Sequence, residues 1–109
     1  MEWNIEFFNA GVEREIGAWP DGIRAVFARI AQKMKVHGPN LGMPFTRAFG
    51  DGLFEIRARG REGIGRAFFC LKIGRKIIIL HQFIKKTDKT PQPEIETAIR
   101  RMNEVNHGK

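Results

Sequence analysis

The sequence predicts one α+β domain over residues 1–109, with a mostly antiparallel sheet and helices packed on one face of it. Three observations carry this. Segments between Leu53 and Lys85 alternate apolar and polar residues and are divided by tight-turn signals. Two other segments, at Ile23–Met34 and Ile95–Val105, repeat apolar residues at helical spacing. The length of 109 residues suits one domain with an ordinary core. The predicted order is strand, helix, helix, three meandering strands, helix.

Trp3-Asn4-Ile5-Glu6-Phe7-Phe8 reads as a first strand, broken by Asn9-Ala10-Gly11. Val12 to Trp19 suits a short helix that ends before Pro20. Asp21 is placed to cap the next helix. There Ile23, Val26, Phe27, Ile30, Ala31 and Met34 form one apolar stripe, opposite Arg24, Arg29, Lys33 and Lys35. Gly38-Pro39 stops it. Asn40 to Gly50 is irregular but carries Leu41, Met43, Phe45 and Phe49, so a packed connection is expected. Asp51-Gly52 is a tight-turn signal opening the next strand.

In Leu53–Arg59, Phe54, Ile56 and Ala58 face one way; Leu53, Glu55, Arg57 and Arg59 face the other. After the polar turn Gly60–Gly63, Gly65–Ile73 sets Ala67, Phe69, Leu71 and Ile73 against Arg66, Phe68, Cys70 and Lys72. Gly74-Arg75 is a hairpin turn. Lys76–Lys85 is apolar on both faces, which predicts a central strand, with Ile77, Ile79, His81, Phe83 and Lys85 on one face. Thr90 and Pro91 suit the N-cap and first position of the last helix. In that helix Ile95, Ala98, Ile99, Met102 and Val105 form the stripe. On this reading helices cover one sheet face. The other is partly open and presents Arg57, Arg59 and Arg66.

The net charge of +7 is unevenly distributed. Residues 1–56 hold six Lys/Arg and seven Asp/Glu, whereas residues 57–109 hold thirteen and five. That asymmetry points to a polyanion, RNA or DNA first. No apolar run approaches the ~18 residues of a membrane span, so no membrane partner is expected. The acidic N-terminus MEWNIEFF is unlike a signal peptide, and the lone Cys70 has no internal partner. The expected compartment is the cytoplasm.

Several chemistries lack their residues. The chain has no Ser and no Tyr, and its three His are not spaced as metal ligands, so no metal site and no cofactor are expected. Gly60-x-x-Gly63-x-Gly65 lacks the strand–turn–helix setting of a phosphate loop. What remains is a set of cations. Arg57 and Arg66 lie on adjacent strands, Lys85 and Lys86 leave the end of the third, and Lys89 follows. Arg grips phosphate bidentately and Lys acts as a mobile charge, so together they suit a phosphodiester and the extra charge of its pentavalent transition state. A 2′-hydroxyl is then the nucleophile. Phe68 and Phe83 are candidates to stack on bases, and Arg59 to add RNA affinity. His81 suits either a buried structural role or general acid–base work.

GLFEIR, GRAFF and IIILHQFIKKTDKTPQPEIETAIRR together resemble the phage-derived, HigB-type toxins of the RelE superfamily, with the match spanning about residues 39 to 102. The resemblance implies a RelE-like, microbial-RNase-like fold and the toxin of a type II toxin–antitoxin pair. It implies a metal-independent mRNA endoribonuclease that acts on the ribosome and inhibits translation. Arg57, Arg66, Lys85 and Lys86 match the family's basic positions, with implied roles in phosphate binding and transition-state stabilisation. His81 and Phe83 also match the motif. Some relatives use a Tyr on or near the last helix as a base. This chain has none, which leaves His81, Lys85, Lys86 and Lys89 as candidate bases. Implied partners are a cognate antitoxin of helix-turn-helix type, mRNA and the ribosome, with DNA reached only through the antitoxin. The alternatives are a non-catalytic nucleic-acid or protein-binding module on the same fold, and a DNA-binding co-repressor acting with its antitoxin.

Overall fold

The computed structural model describes residues 2–85 and 90–107. In chain order the elements are β1 (Asn4–Phe7), α1 (Ala10–Gly17), α2 (Asp21–His37), β2 (Thr46–Gly50), β3 (Leu53–Gly60), β4 (Gly63–Lys72), β5 (Lys76–Lys85) and α3 (Gln92–His107). They build one five-stranded sheet, ordered β1-β5-β4-β3-β2. β1 runs parallel to β5 and every other pair is antiparallel. The predicted α+β class, with its mostly antiparallel sheet, is the one the chain adopts.

The additional strand is β2. Asp51 and Gly52 both have positive φ, at 56° and 89°, as a two-residue hairpin turn requires. Such a turn needs a strand on each side, and Thr46–Gly50 is the earlier one, paired to β3. The stretch 40–50 is therefore only partly the irregular connection expected of it. Three helix starts also differ. Asn9 caps α1 by accepting from the Val12 N–H at 2.9 Å, so this helix begins earlier than Val12. Asp21 lies inside α2, whose cap residue is Pro20. The Gly22 N–H at that end is taken instead by the Glu62 carboxylate, 3.0 Å away on the β3–β4 turn. α3 begins at Gln92, two residues after Thr90, whose hydroxyl turns to Glu55 and Arg66.

The helices do not share one face. α1 and α2 bury Val12, Ile16, Ile23, Phe27, Ile30 and Met34 against Ile56, Ala67, Phe69, Ile77 and Ile79. α3 lies on the opposite face, with Ala98 and Met102 packed on Leu53, Phe68, Cys70, Ile78 and Leu80. The reason is in the strands: β4 and β5 are apolar on both sides, so each side needs a cover. Each fully buried large apolar side chain contributes about 1.5–3 kcal/mol, which both layers supply.

A β-bulge in β5 shapes everything that follows. Phe68 pairs with His81, but the next residue, Phe69, pairs with Ile79, so Leu80 is one residue too many. Its carbonyl accepts from Arg101 Nη1 of α3 at 2.8 Å. Before the bulge Ile77 and Ile79 face α1 and α2. After it, Gln82 takes that side, where its Oε1 accepts from Trp19 Nε1 at 2.6 Å. His81 and Phe83 turn to the α3 face instead. The expected grouping of Ile77, Ile79, His81 and Phe83 on one face is thus divided by the extra residue.

Candidate functional site

Strand register arranges the α3 face in rows. Arg47, Glu55, Phe68 and His81 form one row across β2 to β5. Arg57, Arg66 and Phe83 form the next. Arg59 and Ile64 form the third, at the end of the sheet, where the Ile64 backbone pairs with Lys85. Side chains directly opposite on antiparallel strands are near neighbours. Arg57 and Arg66 would therefore repel each other without a counter-charge.

Glu55 supplies that charge. It is fully buried, and its Oε2 lies 3.5 Å from Arg66 Nη1. Its Oε1 lies 3.6 Å from Arg47 Nε and 3.9 Å from Arg57 Nε. The Thr90 hydroxyl donates to Oε2 at 3.4 Å and accepts from Arg66 Nη1 at 3.4 Å. One carboxylate thus organises three guanidinium groups of graded exposure: Arg66 at 0%, Arg57 at 13% and Arg47 at 39%. Among the described residues three positive charges surround one negative, and burial strengthens their field. The arrangement suits an anion arriving from the exposed side.

His81 stands at the other end of the row. Its Nε2 and the Glu94 Oε1 are 2.6 Å apart. A neutral ring that donates to Glu94 carries its proton on Nε2, which makes Nδ1 the basic nitrogen. Nδ1 is buried and meets no hydrogen-bond partner among the described residues. The ring lies parallel to that of Phe68, with centroids 6.5 Å apart and 5° between planes, and next to Phe83 at 6.5 Å. Glu94 and the two Phe rings fix where the imidazole points.

Arg57, Arg59 and Arg66 do lie on one face of adjacent strands, with His81 two strands from Glu55. Arg59 is exposed. Arg66 is not available to a ligand in this conformation: it is fully buried against Glu55 and Thr90, on the face that alternation alone left open and that α3 partly covers. Phe68 is likewise fully buried and Phe83 nearly so, at 0% and 9% exposed, so neither presents a ring to a base here. They support His81 and α3. Lys85 ends β5 beside Ile64; Lys86 and Lys89 lie outside the described residues.

Four contributors escaped the sequence reading: Glu55, Arg47, Thr90 and Glu94. The Glu55-x-Arg57 alternation was a usable signal, since an acid and a base on one strand face are already neighbours. Arg47 needed β2 to be recognised first. Glu94 needed the docking of α3. Among the described residues no three His, Cys, Asp or Glu side chains converge as a metal site would need.

Comparison with curated proteins returned no match. A family match covers most of the chain, over residues 14–103, and its description is "Phage derived protein Gp49-like (DUF891)". With its mostly antiparallel sheet, its cationic row on one face and that long match, the chain belongs to the phage-derived Gp49-like family, a RelE/HigB-type toxin family of toxin–antitoxin systems.

Proposed function

We propose that the protein is a metal-independent endoribonuclease that cuts mRNA on the ribosome and is held in check by its cognate antitoxin in the cytoplasm. The observation that supports this best is the gathering of Arg47, Arg57 and Arg66 around Glu55, one row from Arg59 and the strand end that carries Lys85. Arg57 and Arg59, with Lys85, Lys86 and Lys89 from the strand end, take the scissile phosphate. Glu55 holds Arg57 in place and offsets the charge of the neighbouring Arg66. The ribose 2′-oxygen attacks the adjacent phosphorus as a base removes its proton. The P–O5′ bond breaks, an acid protonates the departing 5′-oxygen, and a 2′,3′-cyclic phosphate remains. The cations stabilise the charge that builds on the phosphoryl oxygens. Proton transfer falls to one of His81, which Glu94 orients but whose Nδ1 is buried in this conformation, Lys85, Lys86 and Lys89.

The test is cleavage of a reporter mRNA by the purified protein, with and without translating ribosomes, mapped by primer extension. Arg57→Ala and Arg59→Ala should each lower the cleavage rate by about tenfold or more, as expected for lost transition-state charge stabilisation. Wild-type cleavage by the double variant would refute the assignment. The burial of Arg66 and of His81 Nδ1 favours a second reading, a non-catalytic binding module. Intact mRNA bound with a steep salt dependence would establish that reading instead.

A further inference from the structure

β3 outruns its partner on one edge. Thr46, the first residue of β2, pairs with Ile56, and just beyond it the Arg57 N–H donates to the Phe45 carbonyl at 2.8 Å. There the chain folds away, with the Phe45 N–H donating to the Gly42 carbonyl at 2.9 Å. β3 continues to Gly60, where it closes on the start of α2: a Cβ at Gly60 would lie 2.7 Å from the Ile23 nitrogen. Between these two points the edge of β3 borders a narrow cavity of about 160 Å³, lined by Val26, Pro44, Phe45, Arg57, Arg59 and Ile64. Lys33 Nζ of α2 lies 5.0 Å from the centroid of the Phe45 ring, which ties that ring to the helix. Val26 and Arg59 also border a wider hollow of about 610 Å³ that carries Arg29, Arg61 and Asp21.

We propose that this cavity binds one unstacked base of the RNA, a guanine, next to the phosphate held by Arg57 and Arg59. The proposal deepens the nuclease reading and rests on that placing of the phosphate. Sites for drug-sized ligands run to about 300–1,000 Å³, so this cavity takes a ring system and not a whole nucleotide. Four of its residues are apolar, as the faces of a base require, and its charged groups are two guanidiniums, which only donate. Arg57 also meets Glu55, so the cavity adjoins the cationic row. A guanidinium fork matches the adjacent O6 and N7 acceptors of guanine, whereas adenine and uracil each set a donor beside an acceptor. Cytosine has two adjacent acceptors but one ring, so it stacks over less of the apolar wall. With five donors, Arg59 can meet a base edge and a phosphate oxygen together. Phe45 thus supplies the aromatic wall that the buried Phe68 and Phe83 do not present. The hollow with Arg29 and Arg61 continues the path for the RNA backbone beyond that base.

The test titrates the full chain, by calorimetry, with the four ribonucleoside 3′-monophosphates and with ribose 5-phosphate, which has no base. Guanosine 3′-monophosphate should bind about tenfold or more tightly than each of the other four. Phe45→Ala, which removes the aromatic wall, and Val26→Trp, which fills the cavity from α2, should each bring that preference to within about twofold and leave the affinity for ribose 5-phosphate unchanged. Phe45→Trp should keep the preference. No binding by the wild type, equal affinities for the four nucleotides, a preference for another base, or a guanine preference that survives both Phe45→Ala and Val26→Trp would each overturn the proposal. Guanine-selective binding by a chain that cuts no mRNA would refute the nuclease reading and leave the base site standing. Cleavage of mRNA without selective binding would do the reverse.

Discussion

Replacing Glu55 by Gln keeps the shape of the side chain and removes the charge on which the cationic row depends. Glu55 and Arg66 are both fully buried, so the guanidinium would lose its carboxylate partner without gaining water. Breaking such a pair from one side costs about 3–5 kcal/mol. The separation of 3.5 Å between Arg66 Nη1 and Glu55 Oε2 is longer than the ~2.8 Å of a strong charge-assisted bond, which argues for the lower end. Arg47 and Arg57 add to the loss, but Arg47 is 39% exposed and screened by water. The expected destabilisation is about 3 kcal/mol, a large part of the ~5–15 kcal/mol that holds a small domain together. With a urea slope of about 1.5 kcal/mol per M, the midpoint falls by roughly 2 M with the slope unchanged. Fluorescence of the buried Trp19 reports the transition. Converting both residues, as Glu55→Gln/Arg66→Met, should recover most of the loss, because replacing a buried pair together is close to neutral. A shift below about 0.5 M in the single variant, or no recovery in the double, would refute the view that Glu55 holds the arginines in place.

Three further outcomes follow from local geometry. A Cβ at Gly65 would lie 2.6 Å from Ile23 Cγ2 and from Trp19 Cζ3, so Gly65→Ala should cost about 1–3 kcal/mol in chemical denaturation; an unchanged midpoint would be inconsistent with the close approach of β4 to α2. The Glu62 carboxyl is held below its ordinary value of 4.5, first by the hydrogen bond from Gly22 and against the opposing effect of desolvation. A lowered folded-state pKa gives stability that is complete above 4.5 and is lost as pH falls through the lower folded value, so Glu62→Gln should lose less stability than wild type between about pH 7 and about pH 3; equal losses would show that Glu62 does not cap α2. Burial pushes the Cys70 thiol up, so at about pH 8 the native protein should react with a thiol reagent at least about tenfold more slowly than the denatured chain.

The sequence carried the fold class, both long helices, the three long strands and the sidedness of Arg57, Arg59 and Arg66. It did not carry depth. Alternation states which side of a sheet a residue occupies, not whether another element covers that side. Arg66 and Phe68 share a face and both are buried, yet one reads as polar surface and the other as a base platform when α3 is not yet in place. The clue was the apolar content of the same face: Leu53, Phe68 and Cys70 share it with the arginines. A face that is apolar at one end and cationic at the other calls for a helix over the first part and a ligand or partner at the second.

The bulge at Leu80 is the step that no periodicity rule supplies. With strict alternation His81 and Phe83 would share the face of Ile77 and Ile79, beneath α1 and α2 and on the far side of the sheet from Glu55. One extra residue reverses the sides. It moves His81 into the row of Glu55 and Arg47, within 2.6 Å of Glu94, and Phe83 into the row of Arg57 and Arg66. It also gives Gln82 the opposite side, where Trp19 Nε1 donates to it. The bulge is held from outside as well, since Arg101 of α3 donates to the Leu80 carbonyl that the ladder gives up. The apolar run Ile77–Ile84 is thus two strand segments of opposite phase joined at Leu80. The first anchors the α1/α2 core. The second delivers His81 and Phe83 to the cationic face.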